Sequence, residues 1–274
     1  MKGIAFGQYY PASSVMHRLD PRMKIIIAIL YIIASFLCSN VFSFALLLLS
    51  SIVLILVSRI PVRIVLNSIK AIIFIMVFTA LLNVFWTKDA ASAPLFEWWV
   101  VKVYASGLYN AAFIVIRILS MIIGTGIFLT YTTTPIQLTD GLEQLLSPLK
   151  VFKIPVHEFA MMMTIALRFI PTIIEETEKI MAAQKARGAD FTSGSLIKRA
   201  KALIPILIPL FISAFRRAGE LATAMTCRCY RGGQGRTRLN VLKFSFRDFA
   251  ALFVMILFGV GIVLINIYAP GYTM

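Results

Sequence analysis

A chain of 274 residues that is 59% hydrophobic, 14% charged and +15 in net charge lies outside the range of soluble domains, which run about half apolar and about a quarter charged. With a mean hydropathy of +0.87 it reads as an all-α integral membrane protein, and its cations read as the cytoplasmic bias of such proteins rather than a nucleic-acid footprint. Cys38, Cys227, Cys229, His17 and His157 form neither a disulfide framework nor a zinc spacing, so no metal and no cofactor is expected.

Residues 1–22 are mixed and polar, short of apolar length, so no cleavable signal peptide is expected. Asp20 and Pro21 suit the N-cap and first turn of a helix. A first apolar run, Ile25–Leu37, is separated by "CSN" from a second, Val41–Val57. That tight break requires a hairpin of two helices. Arg59, Pro61, Arg63 and Lys70 then interrupt, and a third run spans Ile69–Trp86. A polar loop follows, with Trp98 and Trp99 fitting an interfacial aromatic belt. The fourth run is Leu108–Tyr131 and the fifth Phe249–Tyr268. Each approaches the about 20 residues that span hydrocarbon.

The expected organisation is a four-span membrane part (residues 1–131), a cytoplasmic coupling-helix region (132–247) and a C-terminal span (248–274). The loops after the first and third runs hold few cations, whereas the N-terminus, the 59–70 loop and the 132–247 region hold most of them. The positive-inside rule then places the N-terminus and the coupling region inside and the C-terminus outside. Within 132–247 apolar and charged residues mix at helical spacing. "VHEFAMMMTIALRFIPTIIEETEKIMAAQKARG" predicts one long amphipathic helix with a bend at Pro171. "FTSGS" is a loop. A second long helical stretch begins at "LIKRAK", is kinked or broken at Pro205 and Pro209, and is ended by "RGGQG". Glu220 lies one turn from Arg216 and Arg217. The apolar "IPILIPLFISAF" needs a protein partner or the bilayer interface to cover it.

The two long helices end alike. Arg187 sits between Ala186 and Gly188, and Arg228 between Cys227 and Cys229. An arginine flanked by small side chains can enter a groove unobstructed, and its fork matches a carboxylate in bidentate geometry. Basic residues near helix C-termini also complement the macrodipole, so spacing alone leaves both readings open.

The sequence resembles the transmembrane coupling subunit (T-component) of energy-coupling factor (ECF) type ABC importers. The resemblance rests on "HRLDPRMKI" (17–25), "ALRFIPTIIEETEKIMAAQKARG" (166–188) and "AFRRAGELATAMTCRCYRGG" (214–233), in that order and with five-span topology. It implies a scaffold in the cytoplasmic membrane of a prokaryote for uptake of a vitamin or metal ion. The implied partners are two ABC-type ATPases and one small substrate-binding membrane S-component, with the lipid bilayer around them and no nucleic acid. Arg187 and Arg228, with Ala186, Gly188, Cys227 and Cys229 beside them, would dock into grooves of the ATPases. The family's second motif is usually Ala-Arg-Gly; Cys-Arg-Cys here implies non-identical ATPases or neutral drift, and the former is favoured. The chain itself is expected to be non-catalytic: it has no G-x-x-x-x-G-K-[ST], and its one acidic cluster, "EETE" (175–178), reads as a solvated face. The alternatives are a self-sufficient transporter, for which internal repeats and broken spans are missing, and a membrane-embedded transferase. Arg117, Asn83 and the run Met161–Met163 remain as candidates for a pathway charge, a helix contact and an adaptable surface.

Overall fold

The computed structural model describes residues 9–86, 96–98, 101–189, 191, 195–232 and 242–268. Helices carry the fold: α1 (Pro21–Leu37), α2 (Val41–Ser58), α3 (Val62–Trp86), α4 (Ala105–Thr125), α5 (Pro135–Leu145), α6 (Val156–Ala186), α7 (Leu196–Cys227) and α8 (Phe246–Tyr268). A small antiparallel hairpin, β1 (Phe96–Trp98) and β2 (Val101–Val103), precedes α4. Among the described residues the protein is thus all-α apart from that hairpin. The polar stretch 87–95, Trp99, and parts of "FTSGS" and "RGGQG" lie outside the described residues.

Two compact units are formed, one by residues 1–144 with 241–274, the other by residues 145–240. In the first, α1 starts as its sequence demands. The Asp20 carboxylate caps it by accepting from the Arg22 amide at 2.9 Å, and also holds the Arg22 guanidinium at 3.0 Å. The break before α2 is closed by a capping box between Asn40 and Ser43. At the far end of α2, Arg59 adopts a left-handed conformation (φ 55°) and Pro61 follows.

α4 runs on into a π-helical turn, Gly126–Tyr131. The Thr132 hydroxyl donates to the Ile127 carbonyl at 2.8 Å, and Lys24 Nζ donates to the Thr132 carbonyl at 2.8 Å. The buried Lys24 thereby ties α1 to the end of α4. The core of this unit buries Tyr31, Phe44, Leu47, Phe113, Phe128 and Ile262. Phe44 and Phe113 stack with centroids 4.6 Å apart.

Six helices among the described residues are long and apolar enough to cross a membrane: α2, α3, α4 with its π turn, α6, α7 and α8. Four coincide with expected spans. The remaining expected span, α1, has 17 residues. α6 and α7, expected as coupling helices, qualify on length and apolar content because charges concentrate away from their apolar stretches.

Several local expectations are corrected. α3 begins at Val62, so Arg63 and Lys70 lie inside it rather than interrupting. Of the kink or break expected at Pro205 and Pro209, the break is excluded: α7 is one helix through both, and α6 likewise runs through Pro171. A proline removes one backbone donor but leaves the ladder on either side intact in apolar surroundings. α7 also ends at Cys227, ahead of "RGGQG".

Candidate functional site: two matched helix tips

α6 and α7 stop in the same way. At the first tip Arg187 is the C-cap and Gly188 follows with φ 85°. The Gly188 amide donates to the Lys185 carbonyl and the Ala189 amide to the Gln184 carbonyl, both at 3.0 Å. At the second, Arg228 is the C-cap and Cys229 follows with φ 57°. The Cys229 amide donates to the Thr226 carbonyl at 2.9 Å and the Tyr230 amide to the Met225 carbonyl at 3.0 Å. This pair of bonds defines the Schellman motif, which satisfies carbonyls that a helix end otherwise leaves open. The two arginines therefore occupy one backbone position in two copies of one turn. Position three of each motif is left-handed, where glycine is the usual residue; the second tip holds Cys229 there instead.

The side chains at both tips face solvent. Ala186, Arg187, Gly188, Cys227, Arg228 and Cys229 are all exposed, and both cysteines are free thiols. Among the described residues neither guanidinium is ion-paired. A Cβ built on Gly188 would meet nothing within 4 Å. Packing among the described residues thus does not require glycine at 188, and the other small flanking residues are exposed. They leave the space around each arginine open.

The helices that carry the tips are joined by an ion pair that the sequence did not disclose. Arg217 Nη2 donates to Glu176 Oε2 at 2.8 Å, with both side chains partly exposed. Arg217, one turn from Glu220 along α7, reaches across to α6. Each tip arginine lies eleven residues beyond its member of this pair, about 16 Å along a helix. Beside the pair runs an apolar cleft of about 330 Å³, lined by Phe169 and Ile173 of α6 and Leu207 and Phe211 of α7. The apolar face of α7 is largely exposed, with Phe211, Ile212 and Phe215 each more than 60% accessible. Met162 and Met163 of α6 are exposed as well.

The other candidates have structural roles. Arg117 Nη2 donates to the carbonyl of Cys38 at 2.8 Å, and its guanidinium lies 5.2 Å from the Phe44 ring centroid. It braces the α1–α2 turn. Asn83 Nδ2 donates to Thr79 one turn back on its own helix. Ser14 Oγ and the Tyr10 carbonyl flank the His17 ring. Sequence reasoning missed Asp248, which is buried and accepts from the Asp20 amide at 2.8 Å and the Ser245 amide at 2.7 Å. The only available signal was an acid in the first turn of an apolar helix. Among the described residues no cluster of histidine, cysteine or carboxylate is placed to hold a metal.

Residues 12–239 match the CbiQ family, described as cobalt transport protein. The chain is 52% identical over 251 residues to the "Energy-coupling factor transporter transmembrane protein EcfT" of Clostridium kluyveri, covering 92% of each chain. Proteins of the same name from Ruminiclostridium cellulolyticum and Bacillus subtilis are 48% and 47% identical. Those alignments cover 97% and 93% of this chain, and 98% and 96% of theirs.

Proposed function

This chain belongs to the cobalt transport protein family and is a multi-pass transmembrane component of an energy-coupling factor transporter; from that premise we propose that it is the subunit that couples ATP hydrolysis to uptake. Two ABC-type ATPases drive it, one S-component carries a vitamin or metal ion, and the chain transmits motion between them. Residues 132–247 form its cytoplasmic coupling region, between a membrane part at 1–131 and a last span at 248–274. The N-terminus faces the cytoplasm and the C-terminus the outside.

The observation that carries the reading is the pair of equivalent arginine tips. Arg187 and Arg228 are exposed, lack ion-pair partners among the described residues, and are flanked by small residues that leave room for a groove. Each guanidinium takes a carboxylate of one ATPase. Because Cys229 adopts the same backbone turn as Gly188, the Cys-Arg-Cys sequence preserves the shape of the plug and changes its surface chemistry. That fits two non-identical ATPases. ATP binding closes the ATPase pair, the tips move with it, and the helices carry the displacement to the membrane part, where the S-component reorients. The exposed apolar face of α7 offers that subunit a surface.

The test is Arg187→Ala and Arg228→Ala, singly and together, with ATPase co-purification and substrate uptake as readouts. Loss of a docked arginine weakens association by about 2–5 kcal/mol, about 30-fold or more, chiefly because the partner carboxylate is stranded. The double variant loses both assembly and uptake. Full assembly and uptake in the double variant would refute the docking role.

A further inference from the structure

A second cationic site lies in the other unit. Ser13, Ser14, Arg18, Arg59 and Arg247 line a cleft of about 740 Å³ together with Val15, Leu56 and Val57. Its three arginines come from three separate parts of the chain: the N-terminal segment, the C-cap of α2 and the first turn of α8. All three are exposed at the cleft. No carboxylate lines it. The nearest acids in sequence, Asp20 and Asp248, are buried and already engaged, Asp20 with Arg22 and Asp248 with two backbone amides. The cleft therefore carries three positive charges without an internal counter-ion among the described residues, and a volume within the range of small-molecule sites.

The apolar wall decides what kind of anion fits. Leu56 and Val57 belong to the last turn of the apolar helix α2 and are 71% and 39% exposed, and Val15 is 58% exposed. Inorganic phosphate gains nothing from that wall. A lipid gains from both sides: its phosphate from the guanidinium forks, which match phosphate oxygens, and its chains from the exposed aliphatic surface. We propose that the cleft among Arg18, Arg59 and Arg247 binds the phosphate of an anionic phospholipid head group, with the acyl chains laid along Leu56 and Val57. The bound lipid links the N-terminal segment to the ends of α2 and α8, supplying the counter-charge that the described residues lack there. This inference rests on α2 crossing the membrane and not on the docking role of the helix tips.

The purified full chain in detergent is titrated with dioleoyl phosphatidylglycerol, dioleoyl phosphatidylcholine or inorganic phosphate, and retained lipid is counted by native mass spectrometry. Phosphatidylglycerol is retained in preference to phosphatidylcholine, and inorganic phosphate at millimolar concentration does not displace it. Arg247→Gln weakens retention about fivefold, and each further substitution, Arg18→Gln and Arg59→Gln, by a similar factor. A charge-matched control, Arg63→Gln with Lys150→Gln and Lys153→Gln, retains lipid as the unmodified chain does. Equal losses in the control and the cleft variants would reduce the effect to diffuse surface charge and overturn the site. So would unchanged retention in the single Arg247 variant and the triple cleft variant. Displacement by inorganic phosphate would overturn the lipid as its source.

Discussion

Gly188→Ala and Cys229→Gly act on the same position of two equivalent turns, in opposite directions. Both residues are left-handed, at φ 85° and φ 57°. A side chain with a Cβ loses about 1–2 kcal/mol in that region. Glycine gives back about 0.5–1 kcal/mol through the greater freedom of the open chain. The net is about 0.5–1 kcal/mol in favour of glycine. Neighbours add nothing at position 188, where a built Cβ touches no atom within 4 Å. The cost falls on the closing turn and not on the whole fold, so the readout is hydrogen exchange at the amides that close it. These are Gly188 and Ala189 on α6, and Cys229 and Tyr230 on α7. A shift of that size changes local opening about two- to fivefold. Peptides covering the α6 tip exchange faster in Gly188→Ala, and those covering the α7 tip exchange more slowly in Cys229→Gly. Exchange at the α7 tip that is unchanged or faster in Cys229→Gly would show the cysteine to be stabilising its own turn, and would refute the reasoning.

Two substitutions probe the membrane unit through thermal unfolding in detergent. Gly124→Ala would drive its Cβ into Tyr31 Cε1. That ring is pinned by a 2.9 Å bond to Ser51 and stacks on Phe258, so relief requires a shift of packed atoms, costing about 1–3 kcal/mol; an unchanged midpoint would mean that α4 can move away freely. Asp248→Ala leaves the Asp20 and Ser245 amides without their acceptor, a loss of about 2–4 kcal/mol. Asp248→Asn keeps one acceptor oxygen and unfolds between the two; equal midpoints for the three proteins would show that water replaces the carboxylate.

What was legible in the sequence was local. Asp20 before Pro21 announces a helix start, and the break at Cys38–Asn40 announces a hairpin, because caps depend on neighbours a few residues away. The apolar runs likewise give the cores of α1, α2, α3, α4 and α8. The start of α3 was misjudged because Arg63 and Lys70 look like interruptions in a hydropathy trace, yet a helix accommodates them without a break. The end of α7 was misjudged because glycine was the sought signal and Cys229 took its place. Glu176 and Arg217 stand 41 residues apart, and Asp20 and Asp248 stand 228 apart. No periodicity links such partners. The two arginine tips were found from their flanking small residues, but their equivalence rests on backbone dihedrals and amide bonds that residue types alone do not specify.

The position of the prolines bears on how two such tips could work together. Pro171 precedes Glu176 in α6, and Pro205 and Pro209 precede Arg217 in α7. Beyond the ion pair, each helix reaches its arginine through eleven residues without a proline. Sharp bends in helices concentrate at proline, and these distal arms carry none. An arm of about 16 Å changes the distance between the tips by at most about 0.3 Å for each degree of change in the angle between the arms. On the proposed coupling reading, a rotation of about ten degrees at the Glu176–Arg217 contact corresponds to at most about 3 Å between the docked arginines. A partly exposed ion pair contributes little stability, about 1 kcal/mol or less, and so it can persist or re-form as that angle changes without locking it. On that same proposed reading, proline-free arms, a weak central tether and proline-bearing segments on the far side would let displacement at one end of α6 and α7 be carried along them rather than absorbed at the tips.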